Sequence, residues 1–136
     1  MSNVVKKFSE FIKGEGHPDP VLMDMYDIVF EEVEAHLISA VENTGIKLIE
    51  IALIGSRVIG NYTEMSDVDI LVAYDGNDTE TKVCDVLNKE PLYLDDYKID
   101  YIPLQAGRYG PGVNVISKWL ASHTEYQGVK IQREII

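Results

Sequence analysis

Hydrophobic residues in the first third of the chain recur every three or four positions, which is the period of an amphipathic α-helix. A short helix is therefore predicted over 2–13. A longer helix is predicted to begin at Pro20, with Asp19 as its N-cap, and to end before Gly45. The buried stripe of this longer helix is predicted to consist of Leu22, Met25, Val29, Val33, Leu37 and Val41.

In the middle of the chain the apolar residues form short, branched runs that are typical of β-strands. Strands are predicted over 46–54 and 67–74, with a short helical turn over 56–62 between them. A helix over 79–89 follows, and the stretch 92–104 has strand character again.

The apolar spacing of Val113, Ile116 and Leu120 predicts a last helix. The tail, 128–136, alternates between apolar and polar residues, which favours either an edge strand or a packed arm. Together the elements predict an α+β fold, in which helices pack mainly on one face of a small mixed β-sheet.

The composition is typical of a soluble protein of one domain. The chain has 136 residues, of which 46% are hydrophobic, so a packed core is feasible. The apolar runs are far shorter than the ~20 residues needed to span a bilayer, and the N-terminus lacks a signal-peptide run. Cys84 is the only cysteine, so an internal disulfide is excluded. We expect a cytoplasmic protein that has no membrane partner.

The net charge is −11, from 12 Lys and Arg against 23 Asp and Glu. Such a field repels a nucleic-acid backbone, and the sequence has no cluster of cations, so no extended nucleic-acid groove is expected. Solvated helix faces account for much of the acidic excess. If the protein binds a phosphate, metal ions are expected to bridge the two negative partners.

Two carboxylates, Asp67 and Asp69, stand two positions apart on a predicted strand and therefore point to the same side of the sheet. Two neighbouring carboxylates are unfavourable unless one is protonated or a cation lies between them. Mg²⁺ suits this pair, because it takes oxygen ligands and leaves positions for phosphate oxygens. The alternative is that both side chains face water.

Gly55 and Ser56 stand between a predicted strand and a predicted helical turn, where backbone N–H groups favour an anion. The alternative is an ordinary turn with a serine cap. Asp100 stands in a later predicted strand, where an acid needs a partner or a function. A salt bridge with Lys98, on the same face, is the competing explanation.

The combination of these features carries more information than its parts. Ten residues separate Ser56 from the D-x-D pair, and a lone acid follows on a third strand. The pattern resembles the nucleotidyltransferase superfamily that includes DNA polymerase β, kanamycin nucleotidyltransferase and the small bacterial and phage minimal nucleotidyltransferases. The resemblance covers 22–104. The matching residues are Ile54-Gly55-Ser56, Ser66-Asp67-Val68-Asp69-Ile70 and Ile99-Asp100-Tyr101.

The resemblance implies a palm-like nucleotidyltransferase fold and a metal-dependent reaction. Two Mg²⁺ ions, or Mn²⁺ in their place, would assist transfer of a nucleoside monophosphate from an NTP, with ATP as the expected substrate, to a hydroxyl, and pyrophosphate would leave. Asp67 and Asp69 would bind the ion that holds the phosphates. Asp100 would join them at a second ion and activate the acceptor hydroxyl or accept its proton. Gly55 and Ser56 would cradle the β- and γ-phosphates.

Further residues are weaker candidates for nucleotide binding. Arg57 can reach a phosphate or point outward. Ser66, just before the D-x-D pair, can bind the nucleotide or hydrogen-bond its own loop. Lys98 and Arg108 are the cations nearest to Asp100 in sequence and can contact a triphosphate.

The resemblance also predicts how the chain 1–136 is organised as one nucleotidyltransferase domain. An N-terminal helix or arm (1–18) precedes the catalytic core (19–104), and a helix and tail (105–136) follow. This last part is too short for the second, helical domain that holds the base and the acceptor in larger members. Either a second copy of the chain or a separate helical protein completes the site, or the base is weakly held.

The acceptor is not identified by the sequence and is expected to be a hydroxyl of a protein, an RNA or a small molecule. The main alternative to an enzyme is a non-catalytic nucleotidyltransferase-fold module that binds a partner or acts like an antitoxin. The three intact acids argue against that alternative. An unrelated acidic α+β domain is the third hypothesis.

Overall fold

The computed structural model describes residues 16–109, 114–126 and 132–135, so the predicted helix over 2–13 and the position of Val113 lie outside the described residues. The helices are α1 (Pro20–Asp24), α2 (Tyr26–Ala40), α3 (Ser56–Ile59), α4 (Glu80–Leu87) and α5 (Val115–Ala121). The strands are β1 (Lys47–Ile54), β2 (Val68–Asp75), β3 (Leu92–Leu94), β4 (Tyr97–Gln105) and β5 (Gln132–Glu134). Single 3₁₀ turns cover Ala106–Arg108 and Thr124–Tyr126. In the described part of the chain, no helix has the length and apolarity to cross a bilayer.

The predicted elements that fall within the described residues are confirmed, with shifted ends. Asp19 caps the first helix, because its Oδ1 accepts hydrogen bonds from the N–H groups of Val21 and Leu22 at 3.1 and 3.3 Å. The predicted long helix is interrupted at Met25, which separates α1 from α2. The predicted turn over 56–62 is only four residues long, since Gly60 ends α3 in the left-handed region at φ 99°.

The five strands form one mixed sheet in the order β3-β4-β2-β1-β5. β2 and β4 are parallel, and the chain passes between them through α4 and β3. The other three pairs are antiparallel. The tail therefore contributes an edge strand, β5, rather than a packed arm, and it pairs with β1.

The register divides the residues of the sheet between two faces. Ile70 pairs with Tyr101, and both are buried on the face covered by α2 and α4. On that side His36 of α2 stacks on the Tyr101 ring, and its Nδ1 lies 2.8 Å from the Tyr101 hydroxyl. The opposite face carries Glu50 of β1, whose carboxylate accepts a hydrogen bond from the N–H of Ile116 in α5. The longer helices thus lie on one face, as expected, and α5 covers part of the other.

The outer edge of β4 extends beyond the short strand β3, and side chains close it. Asn88 at the end of α4 donates to the Tyr101 carbonyl and accepts from the Tyr101 N–H, both at 3.0 Å. The N–H of Gln105 donates to Glu80 at 2.9 Å. Between them Pro103 has no N–H at all. Unpaired edge groups invite pairing with another chain, so these contacts protect the strand.

Gly60 anchors the segment before α1 to the turn after β1. Its carbonyl accepts a hydrogen bond from the Gly16 N–H at 3.0 Å, and the Arg57 carbonyl accepts one from the Asp19 N–H at 2.8 Å. A side chain at position 60 would overlap the backbone of Gly16 and His17. Only glycine suits this position, because the backbone is left-handed and the neighbouring atoms are main chain.

We expect Gly60→Ala to lower the free energy of unfolding by about 1–3 kcal/mol or more, from the left-handed backbone and the overlap together. Urea denaturation measures the change. Gly45→Ala is the matched control, because a Cβ there would meet no atom within 4 Å. Equal stability of the two variants would contradict the role of Gly60 as an anchor.

Candidate active site

The parallel pairing of β2 and β4 places two of the predicted acids side by side. Asp69 is the direct register partner of Asp100, and Asp67 immediately precedes β2. Neighbouring strands lie about 4.8 Å apart, and residues two positions apart on an extended chain point the same way. The three carboxylates therefore share one region of the sheet face that α5 covers only in part. All three side chains are half-buried.

Burial and the neighbouring acids raise the pKa values of Asp69 and Asp100. Burial raises the pKa of Asp69 to about 6, and the charges of Asp100 and Asp67 contribute in the same direction. Burial also raises the pKa of Asp100, as does the charge of Asp67, while the Lys98 ammonium lowers it. No hydrogen bond within the described residues compensates Asp69. Lys98 offsets only part of the negative charge gathered here, which therefore favours binding of a cation.

Gly55 makes room for one of these carboxylates. It has a left-handed φ of 91°, and a Cβ at this position would overlap the carboxylate of Asp69, with its Cγ only 2.9 Å away. The glycine before Ser56 is thus required by the close approach of a side chain from β2 as well as by its own backbone conformation. Any other residue at position 55 would force the Asp69 carboxylate to shift.

The turn at Gly55 and Ser56 lies beside the carboxylates. The Ser56 hydroxyl is half-buried and has no hydrogen-bond partner among the described residues. The Gly55 N–H does have one, since it donates to the hydroxyl of Tyr126 at 2.8 Å. This contact was not predictable from the sequence, because 71 positions separate the two residues.

Arg57 lies in the protein interior and not among the carboxylates. Its Nη1 forms an ion pair with Asp19 at 2.6 Å, and the side chains of the pair are only 7% and 6% exposed. The Arg57 guanidinium also lies between the rings of Tyr62 and Tyr97, 5.2 and 4.7 Å from their centroids. The structure therefore places Arg57 in the framework of the site, where its guanidinium contacts other protein groups.

The same guanidinium holds the loop that leads into β2. Its Nε donates to the Ser66 carbonyl at 2.8 Å, and its Nη2 donates to the carbonyls of Thr63 and Glu64 at 3.2 and 3.3 Å. The Ser66 hydroxyl accepts from the Thr63 N–H at 2.9 Å, which closes the loop on itself. Asp67 follows Ser66 directly. The loop contacts of Arg57 and Ser66 therefore fix the position of the Asp67 backbone just before β2. Of the two roles expected for Ser66, this loop contact is the one that the geometry supports.

The weaker cationic candidates differ in their surroundings. Lys98 is exposed and close enough to Asp100 to lower the pKa of that carboxyl. Arg108 forms an ion pair with Glu80 at 2.5 Å, and Glu80 also holds the edge of β4. Of these two cations, Lys98 is therefore the one that acts on the candidate site.

The acids are oxygen donors of the kind that Mg²⁺ prefers, but they do not form a closed cage. Within residues 16–109, 114–126 and 132–135, no group of three His, Cys, Asp or Glu side chains is close enough to hold a metal ion by itself. This arrangement fits Mg²⁺ that enters with a phosphate ligand, since Mg²⁺ is usually held by one or two carboxylates together with substrate phosphates. The repulsion among the carboxylates supports the same interpretation.

Comparison with known proteins places the chain in a family. Residues 33–116, more than half of the chain, match the family model described as nucleotidyltransferase domain. The matched region contains all three acids and the turn at Gly55 and Ser56. No curated protein and no solved structure matches the chain at a significant level.

In metal-free protein we expect the carboxyl of Asp69 to titrate near pH 6, as measured by carboxyl ¹³C NMR. The pKa exceeds that of the unfolded chain, so the folded state binds more protons, and stability should fall as pH rises from about 4 to about 6. Asp100→Asn should lower the pKa of Asp69, because it removes a like charge. Asp85→Asn, an exposed control, should leave it unchanged. A titration of Asp69 below pH 4 would contradict the described coupling.

For the interior ion pair, we expect Arg57→Leu to cost about 3–5 kcal/mol of stability, because it leaves the Asp19 carboxylate buried without its charged partner. The double variant Asp19→Asn/Arg57→Leu should recover part of that loss, since no charge is stranded. Arg133→Leu is the control: the side chains of its pair with Glu34 are 45% and 20% exposed, far more than those of the interior pair, and the pair should be worth about 1 kcal/mol or less. Thermal denaturation measures all three, and an Arg57→Leu loss no larger than that of the control would be inconsistent with the pair's framework role.

Proposed function

The chain belongs to the nucleotidyltransferase domain family, and from that membership we propose that it is a metal-dependent enzyme that transfers a nucleoside monophosphate from an NTP to an acceptor hydroxyl, with release of pyrophosphate. ATP is the proposed NTP. The observation that carries the proposal is the register of β2 and β4, which pairs Asp69 with Asp100 while Asp67 stands two residues upstream. Three carboxylates close enough to interact electrostatically can bind metal ions in this reaction, whereas their mutual repulsion does not stabilise a fold.

The carboxylates are the proposed metal ligands. Asp67 and Asp69 would hold the Mg²⁺ ion that accompanies the phosphates, and Asp100 would join them at a second ion. When bound, the metal supplies positive charge to the phosphate oxygens. The raised pKa of Asp69 supports this proposal, because a cation would relieve the burial and repulsion that cause the shift.

The phosphate end of the nucleotide is proposed to lie at Gly55 and Ser56. The Ser56 hydroxyl is a donor without a protein partner among the described residues, and it follows directly on Gly55, which the Asp69 carboxylate approaches closely. Lys98, near Asp100, adds a positive charge at the opposite side of the carboxylates. An acidic chain needs such local donors, because its net charge of −11 repels a free triphosphate.

Asp100 is the proposed acceptor of the proton in the reaction. The acceptor oxygen attacks the α-phosphorus in line, the bond from that phosphorus to the leaving pyrophosphate breaks, and the hydroxyl proton passes to Asp100 or to water. The raised pKa of Asp100 brings the carboxylate nearer to the pH at which it can take a proton. The acceptor is a hydroxyl of a protein, an RNA or a small molecule, and a second copy of the chain or a helical partner is proposed to complete its binding site.

The test is Mg²⁺-dependent NTP binding and transfer of label from α-³²P-ATP. We expect Asp67→Asn/Asp69→Asn to weaken Mg²⁺-dependent binding by at least roughly 100-fold, since even residues that only support metal ligands typically contribute 10–100-fold. Asp24→Asn/Asp85→Asn is the matched control, because it removes two exposed carboxylates that lie on helices rather than on the strands of the site.

Tight Mg²⁺-dependent binding that survives the double change at positions 67 and 69 would refute the assigned site. A protein that binds a partner tightly but transfers no label from any α-labelled NTP would instead support the non-catalytic module. Label transfer into a fraction of the native cell extract would identify the class of acceptor by its sensitivity to protease or ribonuclease.

A further inference from the structure

Tyr126 brings a late segment of the chain to the candidate site. Tyr126 ends the 3₁₀ turn Thr124–Tyr126 and is only 8% exposed. Its hydroxyl accepts a hydrogen bond from the N–H of Gly55 at 2.8 Å. The family match ends at residue 116, so this contact comes from outside the matched region. A tyrosine hydroxyl that reaches the turn beside Asp69 is therefore a feature of this chain that the family model does not describe.

The contact has a consequence for phosphate binding. The Gly55 N–H, one of the donors that the turn offers to an anion, is already bound to a hydroxyl oxygen. A phenol that accepts one hydrogen bond still has its own hydrogen to donate. Among the described residues no acceptor lies within hydrogen-bond distance of that hydrogen, although the Asp69 carboxylate is near enough to influence the hydroxyl electrostatically.

We propose that the Tyr126 hydroxyl donates this hydrogen to a β- or γ-phosphate oxygen of the bound NTP, and so takes the place of the Gly55 N–H as the donor at this turn. The inference rests on the proposed function and adds a binding residue to it. Donation from the Gly55 N–H polarises the hydroxyl, which strengthens the hydrogen bond that the hydroxyl gives.

The surroundings of the ring hold the hydroxyl in place. The Trp119 ring lies 5.7 Å from the Tyr126 ring, centroid to centroid, and it stacks on His123 at 3.7 Å. His123 is fixed in turn, with its Nδ1 2.7 Å from the Trp119 carbonyl. Because the ring packs independently of its hydroxyl, Tyr126→Phe removes the donor while it preserves the aromatic contacts.

The experiment is calorimetric titration of the full chain with Mg²⁺ and three probes: α,β-methylene-ATP, inorganic tripolyphosphate and AMP. For Tyr126→Phe we expect affinity for the first two to fall roughly 10- to 100-fold, as for loss of a hydrogen bond to a charged group. AMP lacks the β- and γ-phosphates, so its affinity should not change. Tyr26→Phe, an exposed tyrosine on α2, is the matched control and should bind all three probes like the wild type.

The outcomes separate this inference from the proposed function. If the wild type binds α,β-methylene-ATP and Tyr126→Phe binds it equally well or more tightly, the inference is wrong and the proposed function stands. If the wild type binds neither triphosphate in the presence of Mg²⁺, the proposed function itself fails. A loss for AMP as large as that for the triphosphates would show a general structural defect and would also overturn the inference.

Hydrogen exchange of the Gly55 amide in the wild type gives a second measurement that needs no variant. If Tyr126 stays in place and donates to the phosphate, the Gly55 N–H remains bound to the hydroxyl and protected when Mg²⁺ and α,β-methylene-ATP are added. Loss of this protection on binding would show that the phosphate displaces Tyr126. The same conclusion would follow if the amide stayed protected but its resonance shifted strongly, as expected for a hydrogen bond to a charged acceptor.

Discussion

The buried ion pair of Arg57 and Asp19 is the interaction on which the geometry of the site depends. It joins the segment before α1 to the turn after β1, and the same guanidinium holds the loop that ends at Ser66. Through the ring of Tyr97 and its hydroxyl contact with Asp19 at 3.1 Å, it also reaches the start of β4. The two strand starts that carry Asp67 and Asp100 are therefore tied to one charged group. A buried charge is costly unless it is fully paired, so this part of the fold has few alternative arrangements.

The acids of the candidate site could be predicted from the sequence, whereas the framework that supports them could not. The D-x-D pair and Asp100 were predictable, because strand alternation is local and a resemblance in spacing connected the three positions. The role of Arg57 was not, since a guanidinium beside a Gly-Ser turn has the same sequence whether it points to a phosphate or into the core. Its partner Asp19 was predicted only as a helix cap, and it is that as well. Tyr126 gave no signal, because its contact depends on packing of the chain end against a turn 71 positions earlier.

The acidic balance of the chain and the chemistry of the site are consistent with each other. The carboxylates on β2 and β4 repel one another, and burial sharpens that repulsion. A site of this kind is unfavourable when empty of cations and becomes favourable when a cation arrives with its own ligands. Gly55 is needed for this arrangement, since it lets the Asp69 carboxylate approach the turn at which the phosphates are proposed to lie.

The closed edge of β4 limits how a protein acceptor could be presented to the site. Many proteins capture an extended peptide by adding it as a further strand. The outer edge of β4 is the edge next to Asp100, which lies on the same strand. Asn88, Pro103 and Glu80 leave no N–H group on that side for a visiting backbone. Strand addition at this edge of β4 is therefore disfavoured, and a polypeptide acceptor would instead reach Asp100 from a loop, a helix or a chain end that approaches over the sheet face. Selectivity would then come from the shape of the incoming segment rather than from main-chain pairing, which is indifferent to sequence.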